Sequence, residues 1–189
     1  MFRTLQDIYN YLDEMFKEID KFCSVCRDCC KSYCWLLEEE VKILSKLDVP
    51  ILQLNKAFCI DSFERRDKKI LLDNIPTCRF FKKRKCSIYP YRPLFCRLYP
   101  IQLIFNSKQQ ILFVIDLDCP FASQRNKQDL YQISLKLKYL LTKMDKQLLH
   151  SIVKQYYEVH KITKIYRKNF IKLLRVHLGK DKLLIKPLF

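Results

Sequence analysis

The sequence predicts a mainly α protein with a small β-hairpin, an α+β arrangement in which helices surround a compact cysteine-rich core. Three observations support this expectation: apolar residues recur at helical spacing in both terminal thirds, two β-prone segments flank a short polar stretch, and ten cysteines occur among 189 residues. Because 49% of the residues are hydrophobic, the chain can bury a core of its own. We expect a cysteine-cluster domain over residues 1–125 and a basic helical C-terminal extension over residues 126–189 packed on it.

The N-terminal part of the chain predicts two helices. From Thr4 to Phe22, apolar side chains return every three or four residues with Asp and Glu between them, as in an amphipathic helix. A second helix is expected from Trp35 to Leu47. This helix should end before Pro50, because proline cannot continue a helix.

The middle of the chain predicts short strands. Residues 51–74 are expected to be irregular, with two β-prone runs at Ile51–Leu54 and Lys69–Leu72. Further on, Ile101–Asn106 and Ile111–Asp116 lie on either side of four polar residues. These two runs predict a β-hairpin, although no glycine is present in the turn.

The C-terminal part predicts helices again. Apolar residues between Leu130 and Tyr156 form a broad helical stripe, and a last helix is expected over Ile162–Leu178. The turn that begins at Gly179 should end this helix. Leu183–Phe189 would then form a short apolar tail.

The positive charge is concentrated in this C-terminal part. The whole chain has a formal net charge of +16, and residues 126–189 contain 15 Lys/Arg against 4 Asp/Glu. Such an excess makes nucleic acid a candidate partner, because basic residues that neutralise phosphates release counterions. No aromatic and basic nucleic-acid motif accompanies it. Lysine-rich composition without such a partner is the other reading of this charge.

The cysteines are expected to be reduced thiols in a cytoplasmic protein. No apolar run approaches the ~20 residues that a transmembrane helix needs, and the N-terminus has the pattern of an amphipathic helix rather than a signal peptide. Glutathione and thioredoxin keep cytoplasmic thiols reduced. Ten cysteines in this setting indicate metal binding or catalysis and not a disulfide framework.

The spacing of the cysteines indicates a metal site. Cys23, Cys26, Cys29 and Cys30 lie within eight residues, and further cysteines follow at distant positions. A nearly all-sulfur ligand set suits tetrahedral zinc or an iron-sulfur cluster and disfavours magnesium and calcium. The spacing matches neither the complete ferredoxin run nor the radical S-adenosylmethionine triad. The metal, zinc or iron, is therefore left open.

The residues that are absent exclude several enzyme classes. The single glycine, Gly179, rules out glycine-rich loops that bind dinucleotides or cradle phosphates. Neither a Gly-x-Ser-x-Gly elbow nor an HExxH pair is present. No catalytic residue is therefore assigned.

Two longer motifs resemble the YkgJ-like cysteine-cluster family, which is described as a proposed zinc- or iron-chelating domain. One is the run Cys-x2-Cys-x2-Cys-Cys at residues 23–30, followed by a helix that carries LEEEV. The other is Cys78-Arg-Phe-Phe and then Cys-Ser-Ile-Tyr-x2-Arg-Pro-x2-Cys-Arg-Leu-Tyr-Pro at residues 86–100. The resemblance covers about residues 23–120. One branch of the family is linked to methylation of lysines in flagellin.

The resemblance implies a ligand set of eight cysteines: Cys23, Cys26, Cys29, Cys30, Cys78, Cys86, Cys96 and Cys119. Cys34 and Cys59 fall outside the family pattern, and we interpret them as buried small side chains. Arg92 and Arg97 are the candidate cofactor-binding residues, expected to donate hydrogen bonds to cysteine sulfurs and to orient the ligands. Contact with a substrate is the other reading of these two arginines.

The sequence leaves three functions open. The first is a metal-binding protein in which zinc or iron shapes a surface for a partner. The second is an iron-sulfur enzyme that modifies a macromolecule, such as by methylation of protein lysines, and the third is an RNA-associated basic protein. In the first two, metal binding would also supply folding free energy around residues 23–34 and 78–119.

Overall fold

The computed structural model describes residues 1–26, 30, 33–62, 78–105, 110–162, 169–178 and 183–188. The chain forms two compact units. We call Met1–Glu18 together with Leu98–Phe189 the terminal unit, and Ile19–Arg97 the cysteine unit. The division into domains 1–125 and 126–189 stays a prediction.

The described helices are, in chain order, α1 (Leu5–Met15), α2 (Asp20–Cys26), α3 (Glu38–Ser45), α4 (Leu94–Leu98), α5 (Pro120–Ser123), α6 (Lys127–Lys143) and α7 (Lys146–Ile162), and a 3-10 turn covers Tyr89–Tyr91. The described strands are β1 (Trp35–Leu36), β2 (Ile51–Leu54), β3 (Ala57–Ile60), β4 (Phe81–Lys82), β5 (Lys85–Cys86), β6 (Ile101–Phe105), β7 (Ile111–Asp116), β8 (Phe170–Leu178) and β9 (Leu183–Pro187).

The terminal unit is built around a four-stranded antiparallel sheet in the order β6-β7-β8-β9. All six residues of β7 are buried, and this central strand is paired on both edges. Helix α6 contacts β8 and β9, and α7 contacts β6. The sheet and these helices enclose the core of this unit.

Local sequence signals begin the long helices of the terminal unit. The Thr4 side chain accepts a hydrogen bond from the Asp7 N–H, and the Asp7 carboxylate accepts one from the Thr4 N–H. Asn126 and Asp129 make the same reciprocal pair at the start of α6. Each pair satisfies amide groups that have no partner within the helix.

The cysteine unit contains a three-stranded antiparallel sheet in the order β1-β3-β2 and the separate β4–β5 hairpin. Asn55, with a φ of 54°, turns the chain between β2 and β3, a conformation that asparagine tolerates better than most residues. Helix α3 buries Leu44 against Leu36 and Ile60. The sulfur of Cys34 belongs to the same core.

The expectation of a mainly α fold with a single small hairpin is wrong. The described residues contain nine strands in three antiparallel sheets, so the fold is a balanced α+β mixture. The helix expected over Ile162–Leu178 is the main error, because Phe170–Leu178 forms β8. The expected apolar tail likewise contains β9.

The physical reason lies in long-range pairing. In β8, Leu174 lies opposite Phe113 and Val176 opposite Ile111, so both are buried against β7. The local sequence fits a helix as well as a strand. The strand is favoured because β8 supplies hydrogen-bond partners to the edge of β7 that β6 leaves open. The expected turn at Gly179 lies outside the described residues.

Other elements agree with the sequence more closely. The hairpin expected over residues 101–116 is confirmed as β6 and β7, and the run Ile51–Leu54 is confirmed as β2. The expected first helix divides into α1 and α2, and the expected second helix is β1 followed by α3. The run Lys69–Leu72 lies outside the described residues.

None of the described helices combines the length and apolarity that a bilayer crossing requires.

Candidate metal centre

The β4–β5 hairpin brings Cys78 and Cys86 together. Phe81 lies opposite Cys86 in its register, and Lys83 and Arg84 take positive φ values of 49° and 62° in the turn. Such values are typical of a tight two-residue hairpin turn. The two thiols are close enough for the charge of Cys78 to affect the pKa of Cys86.

Both hairpin thiols receive a backbone hydrogen bond from the residue two positions further along. The Phe80 N–H donates to Cys78, and the Ile88 N–H donates to Cys86. Burial raises the pKa of both thiols, to about 11 for Cys86, and these N–H donors act in the opposite direction. Donors directed at sulfur favour the thiolate, which is the form that binds metals.

A second pair of thiols lies in the core of the same unit. The Sγ atoms of Cys34 and Cys96 are 3.1 Å apart. The hydrogen bond to Cys96 and burial raise the pKa of Cys34 well above its usual range. The same hydrogen bond is the largest influence on Cys96, and it lowers the pKa of that thiol.

Arg92 and Arg97 supply positive charge beside Cys96. Both lower the pKa of Cys96, although the hydrogen bond from Cys34 has the larger effect. The Arg97 side chain is 5% exposed, and it donates to the carbonyls of Arg92 and Pro90 over 2.7 Å each. The Arg92 guanidinium lies 3.4 Å from the centre of the Tyr89 ring. Arg97 therefore holds the backbone that leads into α4, and its charge reaches Cys96 through space.

Glu40 joins two helix starts next to this thiol pair. It is 2% exposed, and its carboxylate accepts the Leu37 N–H over 2.7 Å and the Leu94 N–H over 2.6 Å. The first bond closes the start of α3, and the second satisfies an amide at the start of α4. The buried carboxylate thus fixes the helix that carries Cys96.

The described part of the N-terminal cysteine run contacts the hairpin. Cys23 lies in α2, and both it and Cys30 are half-buried. The Cys78 N–H donates to the Cys30 carbonyl over 2.7 Å, which places the end of the run beside Cys78. The side chain of Cys26 and the whole of Cys29 lie outside the described residues.

Cys119 belongs to the terminal unit. It is buried and precedes α5 as its N-cap residue. The turn before it is held by Asp116, whose carboxylate accepts the Asp118 N–H and the Gln102 side-chain amide over 3.0 Å each. The other seven predicted ligands have sequence positions within the cysteine unit.

The chemistry of the donors fits a soft metal. No cysteine whose side chain is described forms a disulfide bond, and residues 19–97 contain no histidine. Within the described ranges, no three Cys, His, Asp or Glu side chains are placed to hold one metal ion together. The described thiols lie close together in two pairs, Cys78 with Cys86 and Cys34 with Cys96.

Cys34 is buried, as its interpretation as a buried small side chain predicts. The sequence did not indicate that its sulfur lies 3.1 Å from that of Cys96, a predicted ligand. The signal that was available is its position four residues after Cys30, close to the densest cysteine run. The same interpretation suits Cys59, which is 0% exposed and whose pKa burial raises to about 12.

The fold and these thiols define a class of protein: a small α+β protein in which nine of the ten cysteines lie in the cysteine unit. Sulfur-rich donor sets of this kind suit zinc or iron. Residues 22–120 match the CxxCxxCC family, described as "Putative zinc- or iron-chelating domain". The match covers more than half of the 189 residues, and the chain belongs to this family. No curated protein matches the chain. No solved structure matches it either.

Proposed function

We propose that this protein binds zinc or iron through cysteine thiolates. The ligands of this centre are drawn from seven cysteines of the cysteine unit: Cys23, Cys26, Cys29, Cys30, Cys78, Cys86 and Cys96. Cys119 stays a prediction from the sequence. The observation that carries the proposal is the β4–β5 hairpin, in which two half-buried thiols each receive a backbone N–H bond. Family membership over residues 22–120 supports the choice of metals.

The hydrogen bonds of the hairpin support a metal ligand more than a packing role. A buried cysteine that only fills space needs no donor directed at its sulfur, as Cys59 illustrates, since burial and the charge of Asp61 alone raise its pKa. A thiolate that binds a metal gains from each donor, because the donor disperses negative charge. Backbone N–H donors lower the pKa of Cys78 and Cys86, whereas the pKa of Cys59 is set by burial and the charge of Asp61.

The local charge supports the same proposal. Several thiolates around a divalent ion carry more negative charge than the ion neutralises. Arg92 lowers the pKa of both Cys86 and Cys96, and Arg79 lowers that of Cys78. These arginines would offset the excess charge of the centre. We therefore assign Arg92 and Arg97 to the surroundings of the metal, where they position and neutralise its ligands.

The first test is the metal content of protein purified without oxygen, measured by visible absorption and by analysis for iron, zinc and acid-labile sulfide. Iron and sulfide in matching amounts would make the centre an iron-sulfur cluster and would justify a search for a redox or modifying reaction. Stoichiometric zinc in a colourless sample would favour a structural or metal-handling role. A sample that holds neither, and that takes up neither after reduction, contradicts the proposal.

A matched pair of variants locates the site. Cys78→Ser combined with Cys86→Ser should abolish stoichiometric metal, because it removes both thiols of the hairpin. Cys59→Ser should keep the metal, because Cys59 lies on β3 within the same unit but outside the proposed ligand set. Equal metal content in both variants would contradict the assignment of the hairpin.

A further inference from the structure

We propose that Cys34 is a further ligand of this metal centre and binds the metal beside Cys96. This inference rests on the proposed function, because it adds a residue to the same site. It goes beyond the family pattern, in which Cys34 has no counterpart.

The separation of the two sulfurs is suited to a shared metal. Cys34 Sγ and Cys96 Sγ are 3.1 Å apart. Two thiolates on one tetrahedral zinc ion, each about 2.3 Å from it, lie about 3.8 Å apart. A small outward movement of either side chain would therefore admit an ion between them. The Cys34 Sγ also lies 3.8 Å from the Trp35 carbonyl oxygen, to which a thiol there can donate.

The backbone holds Cys34 toward Cys96. The Ile60 N–H donates to the Cys34 carbonyl over 2.9 Å, which ties Cys34 to β3. Cys96 is fixed from the other side, because the Glu40 carboxylate binds the Leu94 N–H at the start of α4. The two sulfurs are thus brought together by separate elements and not by neighbouring positions in the sequence.

Other proposed ligands are close to the pair. The charge of Cys78 acts on Cys34, and those of Cys78 and Cys96 act on Cys86. Cys34 therefore has the same cysteine neighbours as the hairpin thiols. Cys59 provides the contrast: it pairs with Trp35 in the register of β1 and β3, and Asp61 is the charged group that affects it.

The test compares Cys34→Ser with Cys59→Ser and with the parent protein, using cobalt(II) as a spectroscopic substitute for zinc under reducing, oxygen-free conditions. Serine at position 34 keeps a hydroxyl donor for Cys96 but removes a sulfur ligand. We expect Cys34→Ser to lower the thiolate-to-cobalt absorption by about a quarter if four thiolates bind the ion. We also expect at least about a 10-fold weaker affinity in competition with a chromophoric chelator. Cys59→Ser should match the parent protein in both measurements.

The outcomes separate the two proposals. If the parent protein and Cys59→Ser bind no cobalt, zinc or iron, the proposed function fails and this inference fails with it. If the parent protein binds metal and Cys34→Ser has the same absorption per metal, Cys34 is no ligand and the proposed function is unaffected. A weaker affinity with unchanged absorption per metal also overturns the inference, because it makes Cys34 a hydrogen-bond donor to Cys96 only.

A measurement on the parent protein covers the case in which Cys34→Ser does not fold. Cysteine labelled with ¹³C at Cβ reports ligation through its chemical shift, and zinc can be added and removed without any substitution. The Cys34 signal should shift on zinc binding together with that of Cys96, and the Cys59 signal should stay in place. A Cys34 signal that stays with that of Cys59 would overturn the inference.

Discussion

At Cys96, a hydrogen bond from Cys34 and the charges of Arg92 and Arg97 favour a thiolate, whereas burial and Glu40 oppose it. The favourable effects prevail, and the pKa of Cys96 is lowered. At Cys59 burial and a negative charge act together, so its pKa rises to about 12. The pKa values of two cysteines in one unit thus move in opposite directions because their neighbours differ.

This difference predicts the order in which the thiols react. With a pKa of about 12, Cys59 is a neutral thiol at pH 8, where only about one molecule in 10,000 carries the thiolate. Because the pKa is raised, the reactive form increases about tenfold per pH unit up to that value. We expect Cys59 to be among the slowest cysteines alkylated by iodoacetamide in the folded protein, as followed by mass spectrometry. Alkylation in denaturant is the control, since all cysteines should then react alike.

The outcome that contradicts this prediction is simple to recognise. Cys30 is half-buried in the same unit, and it provides the comparison in metal-free protein. If Cys59 reacted as fast as Cys30 below pH 9, the burial of Cys59 would not protect it. The interpretation of Cys59 as a core residue would then be wrong.

At the scale of elements, Glu40 connects α3 and α4 through a single carboxylate. Three consecutive glutamates begin α3, and acids favour that end of a helix. Their sequence alone does not show that one of them is buried. Glu38 and Glu39 are exposed, whereas Glu40 lies beneath the start of α4. The partner that distinguishes Glu40 is the Leu94 amide, which is distant in sequence.

We expect Glu40→Ala to lower the free energy of unfolding by about 3 kcal/mol, because it leaves two buried amides without their charged acceptor. Glu40→Gln should cost less, since an amide side chain can still accept one of the two bonds. Glu39→Ala is the matched control on the same turn and should change stability by less than about 0.5 kcal/mol. Urea unfolding followed by circular dichroism measures all three. Similar effects of Glu40→Ala and Glu39→Ala would show that the bridge contributes nothing to stability.

The secondary structure that the sequence predicted correctly is local. The hairpin of β6 and β7 and the strand β2 have β-prone residues over their whole length, and α1 lies where apolar residues recur at helical spacing. Strand β8 could not be predicted in this way. Its apolar residues fit the spacing of a helix as well as that of a strand. Its secondary structure depends on pairing with β7, which lies more than fifty residues earlier in the chain.

The candidate site divides in the same manner. Clustering in the sequence identifies the run from Cys23 to Cys30 as unusual, and the family motif adds the hairpin thiols. Cys34 belongs to no sequence motif. Its proximity to Cys96 arises only from the tertiary structure of the cysteine unit. Similarly, the arginines were expected at the sulfurs, whereas two bonds of Arg97 go to backbone carbonyls. Such contacts follow from tertiary structure alone.

At the scale of the whole molecule, the two units should depend on metal to different degrees. The terminal unit has a four-stranded sheet with a fully buried central strand, and residues 98–189 contain a single cysteine, Cys119. The cysteine unit has short strands, and its core includes the sulfur of Cys34. A small unit of this kind gains much of its folding free energy from a bound metal.

We therefore expect removal of metal by a chelator, in the presence of reductant, to lower hydrogen-exchange protection in residues 34–60 and 78–97. The amides of β7 and β8 should keep their protection, because their hydrogen bonds to each other do not involve a cysteine. Restoring zinc should restore the lost protection, which serves as the control for irreversible oxidation. Equal loss in both units would mean that the chain unfolds as one cooperative body. Unchanged protection in the cysteine unit would mean that its core is stable without metal, and the thiol pairs would then be preformed before the metal arrives.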